Sequence, residues 1–118
     1  MKRLLVVDDS MLVREKIISI LEDGGYSVKS ANNGNEALTL LNEYNFDLII
    51  TDIIMPKMEG LEFITYIKKK FPDLKILAIS SYKPFYLEMA KEIGANETCE
   101  KRHVPEQLLY ITRNLLQN

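Results

Sequence analysis

Three short apolar runs, Leu4–Val7, Leu48–Ile50 and Ile76–Ile79, limit the folds open to this chain. Each is too short for a helix and rich in branched residues, as expected of strands covered on both faces by other layers. They are expected to be central parallel strands. A weaker pattern, Tyr26, Val28 and Ser30 alternating against Ser27, Lys29 and Ala31, predicts a half-covered strand nearer an edge. Glu97–Glu100 is the fifth and poorest strand candidate.

Between the runs, apolar residues recur at spacings of three and four: Leu12, Val13, Ile17, Ile20 and Leu21, then Ala37, Leu38 and Leu41, then Leu61, Ile64 and Ile67. Each set predicts an amphipathic helix. Ser10 stands where an N-cap is wanted, and Gly24-Gly25 supply a stop to the first helix. Pro105 fits the first turn of a last helix carrying Leu108, Leu109, Ile111 and Leu115. Alternating strands and helices predict an α/β, doubly wound parallel sheet of five strands, with right-handed crossovers and helices on both faces. The expected layering is α/β/α, in a single domain over residues 1–118.

At 118 residues, folding should remove roughly two-thirds of the surface of the extended chain, enough for one core without staples. A single cysteine excludes an internal disulfide framework. The net charge of −2, with no basic tract, gives no electrostatic basis for gripping a nucleic-acid backbone. The Met1-Lys2-Arg3 start resembles the positive end of a secretion signal, but Asp8 and Asp9 break the apolar run that follows. The expectation is a cytoplasmic chain without membrane association, whose thiol stays reduced.

The strand ends carry the chemistry. Leu4–Val7 runs into Asp8-Asp9, Leu48–Thr51 into Asp52, Ile76–Ile79 into Ser80-Ser81, and the last candidate strand into Lys101. In a parallel sheet all carboxyl ends share one edge, and ligands of open α/β sheets bind there, where strand order reverses. Three carboxylates, a hydroxyl and an amine are therefore expected to converge. The carboxylates repel one another, and a hard divalent cation is the simplest relief. Oxygen ligands without histidine or cysteine suit Mg²⁺, which prefers one or two carboxylates plus a phosphate. One carboxylate can then attack phosphorus while the amine and the hydroxyl hold the phosphoryl oxygens. Taken singly, each piece has a bland reading: paired acids as turn or cap residues, Ser80 as a strand-end hydroxyl, Lys101 as a solvated charge. Their joint placement on one edge favours an aspartyl-phosphate site.

These residues also resemble a known family. Val6-Val7-Asp8-Asp9-Ser10, Asp52-Ile53-Ile54-Met55-Pro56-Lys57-Met58-Glu59-Gly60, Ile79-Ser80-Ser81, Gly94-Ala95 and Lys101, at their spacings, are similar to the receiver domain of two-component response regulators over residues 2–117. The resemblance implies a flavodoxin-like fold with strand order 2-1-3-4-5. It also implies that Asp52 accepts a phosphoryl group from the phosphohistidine of a sensor histidine kinase or phosphotransfer protein. Asp9 then binds Mg²⁺ directly, Asp8 largely through water, and the Ile54 backbone carbonyl completes the protein ligands. Ser80 and Lys101 grip the phosphoryl group. The implied output is a surface on helix 4, strand 5 and helix 5, read by a downstream protein or a fused output domain, in a monomer or a phosphorylation-dependent dimer. The implied docking face for the kinase is the first helix, around Met11, Leu12, Arg14, Glu15 and Ile18.

The chain departs from the family pattern at defined places. Thr98 stands where a mobile aromatic is usual, which leaves Tyr82, Phe85 and Tyr86 as candidate substitute rings nearby. Lys101 is followed by Arg102 rather than proline, which predicts either a trans bond with a rebuilt loop or a cis bond held by its surroundings. Ile54 and Tyr82, at positions that control access of water, are bulky and carry no carboxylate or carboxamide, which predicts a long-lived phosphoryl group. Cys99 is expected to be a buried strand residue, His103 a loop residue, Gly60 a point of close backbone approach, and Lys68-Lys69-Lys70 a solvated helix end. A metal-dependent phosphohydrolase would want an acid two residues after Asp52, where Ile54 stands, and a flavin module would want a Gly/Ser/Thr-rich loop where Asp8-Asp9 stand.

Overall fold

The computed structural model describes residues 1–53, 60–81 and 84–117. Strands and helices alternate along the chain: β1 (Arg3–Val7), α1 (Met11–Asp23), β2 (Ser27–Ala31), α2 (Gly34–Glu43), β3 (Leu48–Asp52), α3 (Gly60–Lys70), β4 (Lys75–Ser80), α4 (Pro84–Ile93), β5 (Glu97–Glu100) and α5 (Val104–Gln117). A 3-10 turn, Lys101–His103, joins β5 to α5. The five strands pair in parallel in the order β2-β1-β3-β4-β5. This is the doubly wound topology expected from the apolar runs.

The strand side chains divide between two apolar layers. Leu5, Val7, Ile49, Ile76 and Ala78 pack with Phe63, Ile64 and Ile67 of α3 on one face. Leu4, Val6, Leu48, Ile50, Leu77 and Ile79 pack with Ile17 and Leu21 of α1 and Leu108 of α5 on the other. Residues adjacent along one strand serve opposite faces, so the central strands have no polar alternation. The β2 edge behaves differently: Ala31 is buried and Ser30 is exposed, as a half-covered strand requires.

Local signals in the sequence set the helix ends. The Ser10 hydroxyl accepts from the Val13 N–H at 3.3 Å and caps α1. Beyond Asp23, Gly25 adopts φ 96°, the Gly25 N–H bonds the Glu22 carbonyl and the Tyr26 N–H bonds that of Leu21. This paired closure needs a left-handed residue, which glycine supplies at little cost. Asn33 caps α2 through the Glu36 N–H at 2.9 Å, while the Glu36 carboxylate accepts from the Asn32 N–H.

One helix expectation needs correction. Leu12 was counted in the apolar stripe of α1 yet is 81% exposed, as is Met11 at 63%. The buried face of α1 is carried by Ile17 and Leu21 further along the helix, while its first turn is open to solvent. Among the described residues no helix is long and apolar enough to cross a membrane.

Candidate functional site

Sheet register assembles the site. Val7 pairs with Thr51, so Asp8 and Asp52 stand abreast at the ends of neighbouring strands. Asp52 pairs with Ile79, which puts Ser80 one step further along β4. Ser80 pairs with Glu100, and Lys101 follows directly. Residues far apart in sequence thus converge because four parallel strands end together.

The resulting pocket is strongly charged and, apart from its rim, buried. Asp8 is fully buried, Asp52 is 4% exposed and Ser80 is fully buried, while Asp9 lies exposed at the rim. Carboxylate oxygens of Asp8, Asp9 and Asp52 lie within 4.8 Å of one another. The Lys101 Nζ sits 2.8 Å from Asp8 Oδ2 and 3.0 Å from Asp52 Oδ2. Burial alone would lower the Lys101 pKa, but the Asp8 and Asp52 carboxylates outweigh it and hold the ammonium above its ordinary range. Three carboxylates against one ammonium still leave the site negative by two when all are ionised.

Arg14, the fourth residue of α1, links that helix to this pocket. Its guanidinium donates to the Asp8 carbonyl at 2.7 Å and to the Asn32 side chain at 3.0 Å. Asp8 Oδ1 in turn accepts from the Ser10 N–H at 2.9 Å. The β1–α1 turn is therefore held by side chains on both sides, which fixes the direction of the Asp8 carboxylate. Sequence reasoning placed Arg14 on a docking face and missed this contact. A charge at that spacing has no periodic signature that separates it from a solvated one.

The carboxylate set fits a hard cation. Asp8 Oδ2 is buried and, beyond its ion contact with Lys101, accepts no aligned hydrogen bond among the described residues. A coordinated ion with its water shell would satisfy that atom, and a cluster of oxygen donors matches Mg²⁺ rather than zinc. The Ile54 carbonyl and the Tyr82 ring lie outside the described residues.

The departures resolve as follows. Among the described residues no peptide bond is cis, so the Lys101–Arg102 bond is trans and the loop is rebuilt as a 3-10 turn, the first of the two alternatives. His103 belongs to that turn, 3.4 Å from Glu100 Oε2. Thr98 is half-buried on β5. Of the candidate rings, Phe85 is 64% exposed and Tyr86 packs against the α3-side core, their centroids 5.8 Å apart. Cys99 is buried, and burial, with help from Glu100 and Glu106, pushes its thiol pKa up to about 11. That argues against a reactive thiol. A Cβ on Gly60 would fall 2.0 Å from the Ile53 carbonyl oxygen, which is the close approach expected there.

The chain matches the family model of the response regulator receiver domain over residues 4–113. It is 35% identical over 116 residues to "Response regulator MprA" of Mycolicibacterium vanbaalenii, covering 98% of this chain and 50% of that protein. It is 37% identical over 117 residues to "Probable transcriptional regulator ycf29" of Pyropia yezoensis, covering 97% and 53%. The chain thus spans about half the length of these curated relatives. Among solved structures, the chemotaxis protein CheY4 of Vibrio cholerae superposes with a TM-score of 0.90 at 34% identity, covering 98% of this chain and 99% of that one. The response regulator TrrA of Thermotoga maritima, solved with Mg²⁺ and a beryllium fluoride group, gives 0.90 at 37%, covering 98% and 100%. With its sheet order and the acids at its carboxyl edge, the chain belongs to the response regulator receiver domains of two-component signalling.

Proposed function

We propose that residues 1–118 form a single receiver that takes a phosphoryl group onto Asp52 from a phosphohistidine donor, in a Mg²⁺-dependent step. The observation that carries this reading is the meeting of Asp8, Asp9 and Asp52 within 4.8 Å, bridged at one side by Lys101. A carboxylate oxygen of Asp52 attacks phosphorus, the donor's N–P bond breaks, and the freed imidazole takes a proton. Asp9 and Asp52, with Asp8 through water and the Ile54 carbonyl, are the proposed ligands of the cation. When bound, Mg²⁺ neutralises the carboxylates and the charge on the transferring group.

Lys101 and Ser80 are assigned to the phosphoryl oxygens. Lys101 already spans Asp8 and Asp52, so it can exchange a carboxylate contact for a phosphoryl one with little movement. Ser80, buried at the end of β4, supplies a hydroxyl donor. Phosphorylation adds about −1.5 to −2 charges and strong acceptors, which draws the hydroxyl inward and alters packing behind it. The surface that changes is α4, β5 and α5, read by a downstream protein or a fused output domain. The donor docks against the first turn of α1, where Met11 and Leu12 are exposed close to the acids in sequence. We assign the domain to the cytoplasm, with no direct grip on nucleic acid, as a monomer or a phosphorylation-dependent dimer.

The test is phosphoryl loading from a small acyl-phosphate donor, followed by intact mass. Loading is expected for the parent with Mg²⁺, and only background without Mg²⁺ or in Asp52→Asn. Equal loading of Asp52→Asn, or loading indifferent to Mg²⁺, would overturn the reading.

A further inference from the structure

Lys101 is the first residue of a 3-10 turn, yet its ammonium has to meet two carboxylates at once. A lysine stem has four flexible carbons, so the direction of its backbone governs where the charge spends its time. Glu100, at the cap position of this turn, makes no side-chain hydrogen bond to the turn's backbone. Its carboxylate reaches over instead: Oε2 accepts from Arg102 Nε at 2.6 Å and lies 3.4 Å from His103 Nε2. The Val104 N–H closes the turn on the Lys101 carbonyl. The residue before Lys101 is thus tied to the residue after it, with His103 close by.

Exposure separates the roles within this brace. The Glu100 side chain is 25% exposed and that of Arg102 74%, so the contact lies at the surface with Glu100 its more covered partner. Glu100 also stands abreast of Ser80 in the sheet, which anchors the brace to the strand pair that delivers the hydroxyl. As a stabiliser of the fold, an ion pair this exposed contributes little. As a constraint on one turn, it acts where a displacement of about 1 Å is costly to a reacting geometry.

We propose that Glu100 is a positioning residue: by bracing Arg102 across Lys101, it sets the turn that aims the Lys101 ammonium at Asp8 and Asp52. The inference rests on the assignment of Asp52 as phosphoacceptor and Lys101 as its charge partner. The experiment compares loading rates from a small acyl-phosphate donor at saturating Mg²⁺ for the parent, Glu100→Gln, Arg102→Gln, Arg102→Lys and Lys101→Ala, and for Glu100→Gln combined with Lys101→Ala. Thermal unfolding of each variant runs alongside.

Glu100→Gln is expected to load about three- to fivefold more slowly, and Arg102→Gln about twofold, with unfolding temperatures at the parent's value. Arg102→Lys should recover most of that twofold loss. In the Lys101→Ala background, Glu100→Gln should have no further effect, because nothing remains to be aimed. A Glu100→Gln rate equal to the parent's, or the same slowing with Lys101 absent, would overturn the proposal while leaving Asp52 as phosphoacceptor. A parent that does not load would instead remove the functional reading and this inference with it.

Discussion

The two edges of the sheet use charge in opposite ways. At the amino edge a cleft of about 480 Å³ opens between Lys2, Tyr44, Asp47, Phe71, Lys75 and Leu115. Two of its charged side chains have structural partners: Asp47 accepts from the Arg3 N–H at 2.9 Å, and the Lys75 ammonium donates to the Leu115 carbonyl. The Tyr44 ring carries Arg3 and Lys29 within 5.3 and 4.3 Å of its centroid. At the carboxyl edge three carboxylates gather, two of them buried, and the Lys101 ammonium pairs with Asp8 and Asp52. A buried cluster of like charges, rather than the cleft, is what distinguishes the carboxyl edge.

The largest effect that would sharpen this contrast is on loading. Lys101→Ala should slow phosphoryl loading by roughly a hundredfold, the scale of losing one preorganised partner of developing charge. Lys75→Ala, at the other edge, should leave the rate at the parent's value. Time courses with a small acyl-phosphate donor check both, and comparable losses at the two edges would break the contrast.

Stability without Mg²⁺ should move in opposite directions. Asp52→Asn removes one of three mutually repelling carboxylates and should stabilise the fold by about 1 kcal/mol. Asp47→Ala removes the acceptor of the Arg3 N–H and should destabilise by about 1 kcal/mol. Urea unfolding in the presence of a chelator measures both. Loss of stability in Asp52→Asn would mean that its carboxylate is a structural acceptor like Asp47.

Much of this was legible in the sequence for a simple reason. Branched apolar runs three or four residues long, each ended by a polar residue, have few homes other than a buried parallel sheet, and such a sheet brings its carboxyl ends together. Asp8, Asp52 and Lys101 come together, with Ser80 at the end of the neighbouring strand, because register follows from the topology. Periodicity marks a helix face but not how far along the helix that face is covered, and Leu12, on the apolar spacing, is exposed. Nor could it find Arg14 or Glu100, whose roles depend on the direction of turns rather than on spacing. Replacing proline by Arg102 removed a familiar signal without announcing the 3-10 turn that took its place.

A smaller effect concerns Cys99, which lies between the two edges on β5. Its thiol is held neutral to about 11 in the fold, above the ordinary thiol range where the unfolded chain ionises. The folded state therefore binds more protons between those values, and stability should fall as pH rises through the window from about 9 to 11. Cys99→Ala should flatten that part of the decline in urea-unfolding experiments. An unchanged alkaline slope would contradict the burial argument.

The central claim is most directly tested by locating the phosphoryl group after loading in Mg²⁺, using fragmentation mass spectrometry of the trapped acyl phosphate. The account predicts modification at Asp52 alone, with Asp8 and Asp9 unmodified. A phosphoryl group found on either of those acids, or on a residue away from the carboxyl edge, would contradict it.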